Sequence, residues 1–353
     1  MIAAESTALV RLRILAVLVT LALALLAAVP ASADAHGPIA PVASSYLARI
    51  SHVPSGLEAN VVDGDLRMWL RVPPRETVVV LDYRGAPYLR FSPSGVWVNQ
   101  RSSMYYLNQT PIAQTPPANL GPHTPPHWQL VSSGHDYNWH DGRLHALAAV
   151  ARSPGASYVG AWKLPLLVDG RLSPISGGLW YRPGPSIVWF WPIVVLLLCV
   201  VAAWRVKRPE VDRLGSNALA LMALGAIAAA TLGNQLHGRP GISALDWVEL
   251  SLLLAFVGWG LVRVLRRRAG YFTYFMIALV AILEGAQLVP TLLDGYVLMA
   301  VPAFVGRAAS VIGLGAGIGL IVMVPRLFDQ REELESQRVD GREGEDDSAL
   351  ELA

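Results

Sequence analysis

The chain has 353 residues, 53% of them hydrophobic and 15% charged, with a formal net charge of +2. A mean hydropathy of +0.42 excludes an ordinary soluble enzyme of this size and points to a membrane protein. One cysteine, Cys199, excludes a disulfide framework.

In chain order, Arg11 and Arg13 precede an apolar run from Ile14 to Val29 and then small residues from Ala31 to Ala35. This is the three-part pattern of a secretory signal over residues 1–35, with an uncleaved anchor as the alternative. Cleavage before Asp34 and cleavage before His36 fit the small residues equally well. The second leaves His36 as the first residue of the exported chain.

Residues 36–185 carry short β-branched and aromatic runs: Leu66–Val72, Thr77–Tyr83, Leu144–Ala151 and Tyr158–Val168. Turn clusters such as Asp63-Gly64-Asp65, Pro73-Pro74 and Asp169-Gly170 separate them. That pattern predicts an extracytoplasmic antiparallel β-sandwich with a core large enough to stand without disulfides. The Pro-rich segment Thr115–Trp128, with His123 and His127, reads as a surface loop.

Within this domain, Gly134 to His145 gathers three of the eight histidines with Asp136 and Asp141. Imidazole and carboxylate at that density suit a borderline divalent metal, and His36, His140, Asp141 and His145 are the candidate ligands. A polar loop capping the β-domain is the competing reading. The only thiol lies in an apolar helix, so a copper site here would be built from nitrogen and oxygen.

Residues 186–325 predict a bundle of five transmembrane helices, near 187–204, 218–236, 247–265, 271–289 and 298–324, each close to the ~20 residues a bilayer requires. Arg205, Lys207, Arg208 and Arg213 follow the first span, and Arg263, Arg266, Arg267 and Arg268 follow the third. The positive-inside rule then places the β-domain outside and the C-terminus in the cytoplasm of a multi-pass cell-membrane protein. Glu284 and Arg307 sit at similar depth on adjacent spans and read as an intramembrane ion pair, with a ligand or ion site as the alternative. Asn234, Gln235, His237, Asp246, Glu249 and Gln287 lie at comparable or shallower levels. Residues 326–353 read as an acidic, disordered cytoplasmic tail.

No phosphate-cradling glycine loop, nucleophile elbow or zinc-protease helix is present, so a binding or assembly factor is favoured over an enzyme. The basic residues hug the membrane and the tail is acidic, which disfavours nucleic acid as a partner. The lipid bilayer and another envelope or membrane protein are the expected partners.

The runs Val78–Arg90, Gly95–Asn99, Tyr106–Asn108, Pro126–Trp128 and Trp139–His145 resemble a family of exported, membrane-anchored bacterial proteins without an assigned activity. The family motif commonly reads Trp-His-Asp-His-Arg-x-His-Trp, and this chain departs from it at Gly142 and Ala146. The resemblance implies architecture, and the lost histidine removes one possible ligand. A weaker similarity is to copper proteins whose mature N-terminal histidine chelates the metal, the periplasmic copper carriers and the copper subunit of particulate methane monooxygenase. Only His36 and the His140–His145 segment map onto that arrangement.

Overall fold

The computed structural model describes residues 41–109, 113–145, 152, 155–206, 208–237 and 244–351, with side chains described through 329 except at 244–246. The segment expected to be a secretory signal and His36 lie outside the described residues.

The N-terminal half is built of short strands. They are β1 (Ala43–Ser44), β2 (Tyr46–His52), β3 (Glu58–Val62), β4 (Arg67–Arg71), β5 (Val78–Leu81), β6 (Pro87–Ser92), β7 (Gly95–Asn99), β8 (Trp128–Ser132), β9 (Asp136–His140), β10 (Tyr158–Leu164), β11 (Leu166–Val168), β12 (Arg171–Leu172) and β13 (Ile175–Tyr181). One short helix, α1 (Ser103–Leu107), follows β7 and is capped by the Ser102 side chain. The strands form a six-stranded sheet in the order β12-β11-β5-β6-β7-β8 and two three-stranded sheets, β10-β13-β2 and β3-β4-β9. Every pairing is antiparallel.

Alternation explains the inward faces: on β5, Val78 and Val80 are buried while Val79 and Leu81 are half-exposed. The three sheets contribute to one core, in which Met68 and Leu70 meet Leu89, Phe91, Trp139, Leu164 and Leu179, with Met104 added from α1. Each such fully buried side chain stabilises the fold by roughly 1.5–3 kcal/mol. The strand expected over Leu144–Ala151 begins instead as a 3-10 turn, Gly142–His145. Asp141 causes the change, because its side chain accepts from Arg143 N at 3.2 Å and its carbonyl from Leu144 N at 3.1 Å. Residues 146–151 lie outside the described part.

The C-terminal half is helical. A 3-10 turn, Ile187–Phe190, leads into α2 (Trp191–Val206), followed by α3 (Pro209–Gln235), α4 (Ala244–Leu265), α5 (Tyr271–Gln287), α6 (Pro290–Leu293), strand β14 (Tyr296–Val297) and α7 (Ala303–Glu351). Among the described residues four segments are long and apolar enough to cross a membrane: Ile187–Val206, Pro209–Gln235, Trp247–Leu265 and Ala303–Asp329. The expected span near 271–289 corresponds to α5, which is apolar but only 17 residues long. Residues 326–351, expected to be disordered, continue α7 as helix. The tail is charged, yet Arg, Glu, Gln and Leu are also good helix formers and extend a helix already started.

Close packing of α5 on α7 rests on small residues: a Cβ at Gly285 would lie 2.9 Å from Leu314 N, and one at Gly313 would lie 3.0 Å from Ala281 O. At the end of the bundle away from the strands, Arg326 Nη2 meets the fully buried Asp212 carboxylate at 3.0 Å. At the other end, β1 pairs with β14 (Ala43↔Val297, Ser44↔Tyr296), and Ser45 Oγ donates to Asp294 Oδ1 at 2.6 Å. The β-region is thereby fastened to the segment that leads into α7.

Candidate functional site

The histidine motif runs from β9 into the 3-10 turn. Successive strand residues point to opposite faces, so Trp139 and Asp141 are buried while His140, between them, is part-exposed. The turn then brings His145 back beside His140, with ring centroids 5.4 Å apart and planes inclined at 42°. His145 Nδ1 lies 2.8 Å from Asp65 Oδ2. A carboxylate only accepts, so Nδ1 carries the shared proton, and in the neutral ring Nε2 keeps its lone pair. An imidazole oriented by a carboxylate in this way is a recurring support for metal ligation.

Asp65 is a site residue that sequence reasoning missed. It belongs to the four-residue connection between β3 and β4, in which Asp63 (φ 62°) and Gly64 (φ 81°) are both left-handed. Gly64 is required twice over, since a Cβ there would also lie 3.1 Å from both Tyr46 O and Ser44 Cβ and 3.3 Å from Leu298 Cδ1. The β4–β9 register sets Arg67 opposite His140. That pairing carries the connection, and Asp65 with it, to the motif.

Asp141 has a different role from the expected ligand. It is fully buried, and both oxygens are engaged: Oδ1 by Arg143 Nε at 2.8 Å, and Oδ2 by Arg143 Nη2 at 2.6 Å and Trp139 Nε1 at 3.0 Å. Arg143 also donates to Leu81 O at 2.8 Å and lies over the Tyr83 ring at 5.3 Å. Burial pulls the guanidinium's pKa down, but Asp141 more than offsets this and holds it above its ordinary value. The Asp–Arg pair is a structural clasp whose acceptors are already satisfied. Gly142 also has a local explanation, because a Cβ there would come 2.7 Å from Tyr83 Oη. A histidine at this position requires Tyr83 to move.

Among the described residues no three His, Cys, Asp or Glu side chains gather as a metal centre. What the structure brings together is an imidazole pair with one orienting carboxylate. The pair does have suitable spacing: with N–metal bonds of ~2.0–2.1 Å, two imidazoles on one tetrahedral ion have ring centroids about 5 Å apart.

The intramembrane pair is not formed. Arg307 donates to three carbonyls, Thr291 O at 3.0 Å, Asp294 O at 3.3 Å and Gly295 O at 3.1 Å. Those carbonyls are open because the chain between α5 and α7 is broken into α6 and β14, which leaves its backbone short of partners. Glu284 lies on α5 within electrostatic reach of Glu249 on α4 instead.

No family model, curated protein or solved structure matches this chain.

Proposed function

We propose that this chain is a membrane-anchored extracytoplasmic binding or assembly factor that takes copper or another divalent metal at His140 and His145. The observation that carries the reading is the 5.4 Å imidazole pair with His145 held by Asp65. Nitrogen ligands suit copper and zinc. A third ligand must come from beyond the described residues, and His36 at a processed N-terminus, with its free amine, is the candidate. In this reading the three sheets are an elaborated sandwich outside the membrane. The 17-residue α5 is the fifth span, at the lower limit of ~17–25 residues. The basic ends of α2 and α4, with Arg213 and Arg326, face the cytoplasm.

The test is metal uptake and thermal stability of the full-length protein in detergent. Saturating Cu(II) at about 100 times the dissociation constant should add ~2.7 kcal/mol. Asp65→Asn should weaken binding about 10- to 100-fold through loss of ring orientation. The proposal is overturned by absence of metal uptake at neutral pH, or by uptake that survives loss of both His140 and His145.

The Asp65–His145 contact also supports a second reading, in which the motif pins the 3-10 turn and the domain serves as a structural or signalling partner of another envelope protein. In that case Asp65→Asn lowers metal-free stability and no metal is retained.

A further inference from the structure

We propose that α3, α4 and α5 form a binding site for one hard divalent cation, with Glu249 and Glu284 as its carboxylates and Thr231 and Gln235 as its neutral oxygens. The three helices are in register at one level: a Cβ at Gly260 of α4 would lie 2.8 Å from Leu224 Cδ2 of α3 and 3.4 Å from Ile277 Cδ1 of α5. On the other side of that level α3 and α5 stay in contact, with Tyr274 Oη donating to Asn217 Oδ1 at 2.7 Å.

From this level toward the β-region, helical periodicity places the site. Seven residues are two turns and about 10.5 Å, with a drift of only about 20°, so Thr231 and Glu284 repeat the facing positions of Leu224 and Ile277. Eleven residues are three turns and about 16.5 Å, so Gln235 and Glu249 repeat those of Leu224 and Gly260. Four oxygen-bearing side chains thus line the strips that the three helices turn toward one another. On α4, part-buried Leu253, Phe256 and Val257 connect buried Gly260 to exposed Glu249, so the cleft widens toward the β-region.

Two observations point to a ligand. Thr231 is only 1% exposed, yet its Oγ1 has no hydrogen-bond partner among the described residues, and it does not bond back to its own helix. Glu284 is part-buried and likewise has neither hydrogen bond nor ion pair among them, while Arg307, the cation at its depth, is turned to the backbone carbonyls. The charge acting on Glu284 is the like charge of Glu249. Two carboxylates brought together at a membrane level are neutralised by a proton or by a cation, and one divalent ion neutralises both. Carboxylate, amide and hydroxyl oxygens select hard cations of the calcium and magnesium class, not the nitrogen-seeking metals proposed for the histidine pair.

The test uses the full-length protein in nanodiscs of neutral lipid, stripped with chelator and titrated with Ca²⁺, Mg²⁺ or Na⁺ alone, reading bound ion per chain and thermal shift. One divalent ion per chain is expected. Glu284→Gln and Glu249→Gln should each weaken it at least about tenfold, because affinity follows ligand charge, and Thr231→Val should weaken it less. His140→Ala should leave it unchanged, which separates this site from the one proposed above. Glu249 is exposed, so its replacement tests the site without threatening the fold. The proposal is overturned if the wild type retains no divalent ion, if the Glu249→Gln, Glu284→Gln double variant binds as the wild type does, or if stability responds to pH alone and to none of the three ions.

Discussion

Replacing Asp82 by Asn exchanges one oxygen for an amide nitrogen in a carboxylate that faces only donors. Oδ1 accepts from Arg84 N and Ala86 N, both at 2.8 Å. Oδ2 accepts from Ser103 N at 2.9 Å, Ser103 Oγ at 2.7 Å and Ser102 Oγ at 2.9 Å. This one side chain therefore closes the β5–β6 turn and ties it to the first turn of α1. In the best orientation Asn keeps its oxygen on the turn and rotates the serine hydroxyls into accepting positions, but Ser103 N–H still faces an NH₂ group. An orphaned buried donor costs about 1–3 kcal/mol, and the turn bonds also fall from charged to neutral strength, for a total of about 3–5 kcal/mol. At roughly 3 °C per kcal/mol, the β-region should melt about 10 °C lower, read by the fluorescence of its tryptophans in the full-length protein. Burial raises the Asp82 pKa, but the hydrogen bonds from Ser103, Arg84 N, Ser102 and Ala86 N outweigh it and leave the group below the ordinary carboxylate value. A depressed folded pKa gives stability that is full above the unfolded value of ~3.9 and is lost as pH falls through the folded value. The wild-type and Asn melts should accordingly converge below pH ~4. A loss under about 1 kcal/mol at neutral pH, or melts that separate further in acid, would refute the reasoning.

Arg307→Ala and Glu284→Gln should change stability additively, since the two side chains share no partner; a coupling above about 0.5 kcal/mol in a double-mutant cycle would contradict the carbonyl-bound arginine. Reporter fusions after Pro185 and after Asp329 should be active only outside and only inside the cell, respectively. Activity of both on one side would rule out an odd number of spans.

The local parts of this architecture were legible in the sequence. Strands β4, β5 and β10 follow from β-branched and aromatic runs bounded by turn residues, and the apolar helices follow from length and composition. His140 and His145 are close in sequence and remain close in space. Asp65 was hidden because it arrives through the pairing of β4 with β9, a register no local pattern announces. The engagement of Asp141 by Arg143 and Trp139 was not legible, although strand alternation already separates it from His140, since neighbours on a strand face opposite ways. Arg307 was assigned to a carboxylate because side-chain inventories do not show which backbone carbonyls a broken segment leaves open. The tail was read from its charge, whereas its helix formers continue α7.

The pairing of β1 with β14 also bears on how the protein is made. Ser45 and Asp294 are 249 residues apart in the chain, and every helix from α2 through α6 lies between them. Strand β1 therefore has no partner while the rest of the β-region is already complete in sequence, and it gains one only when the segment before α7 emerges. Closing so long a loop comes late, after the local pairings have formed. A chain truncated before β14 would lack both the strand that β1 pairs with and the carboxylate that accepts from Ser45 Oγ.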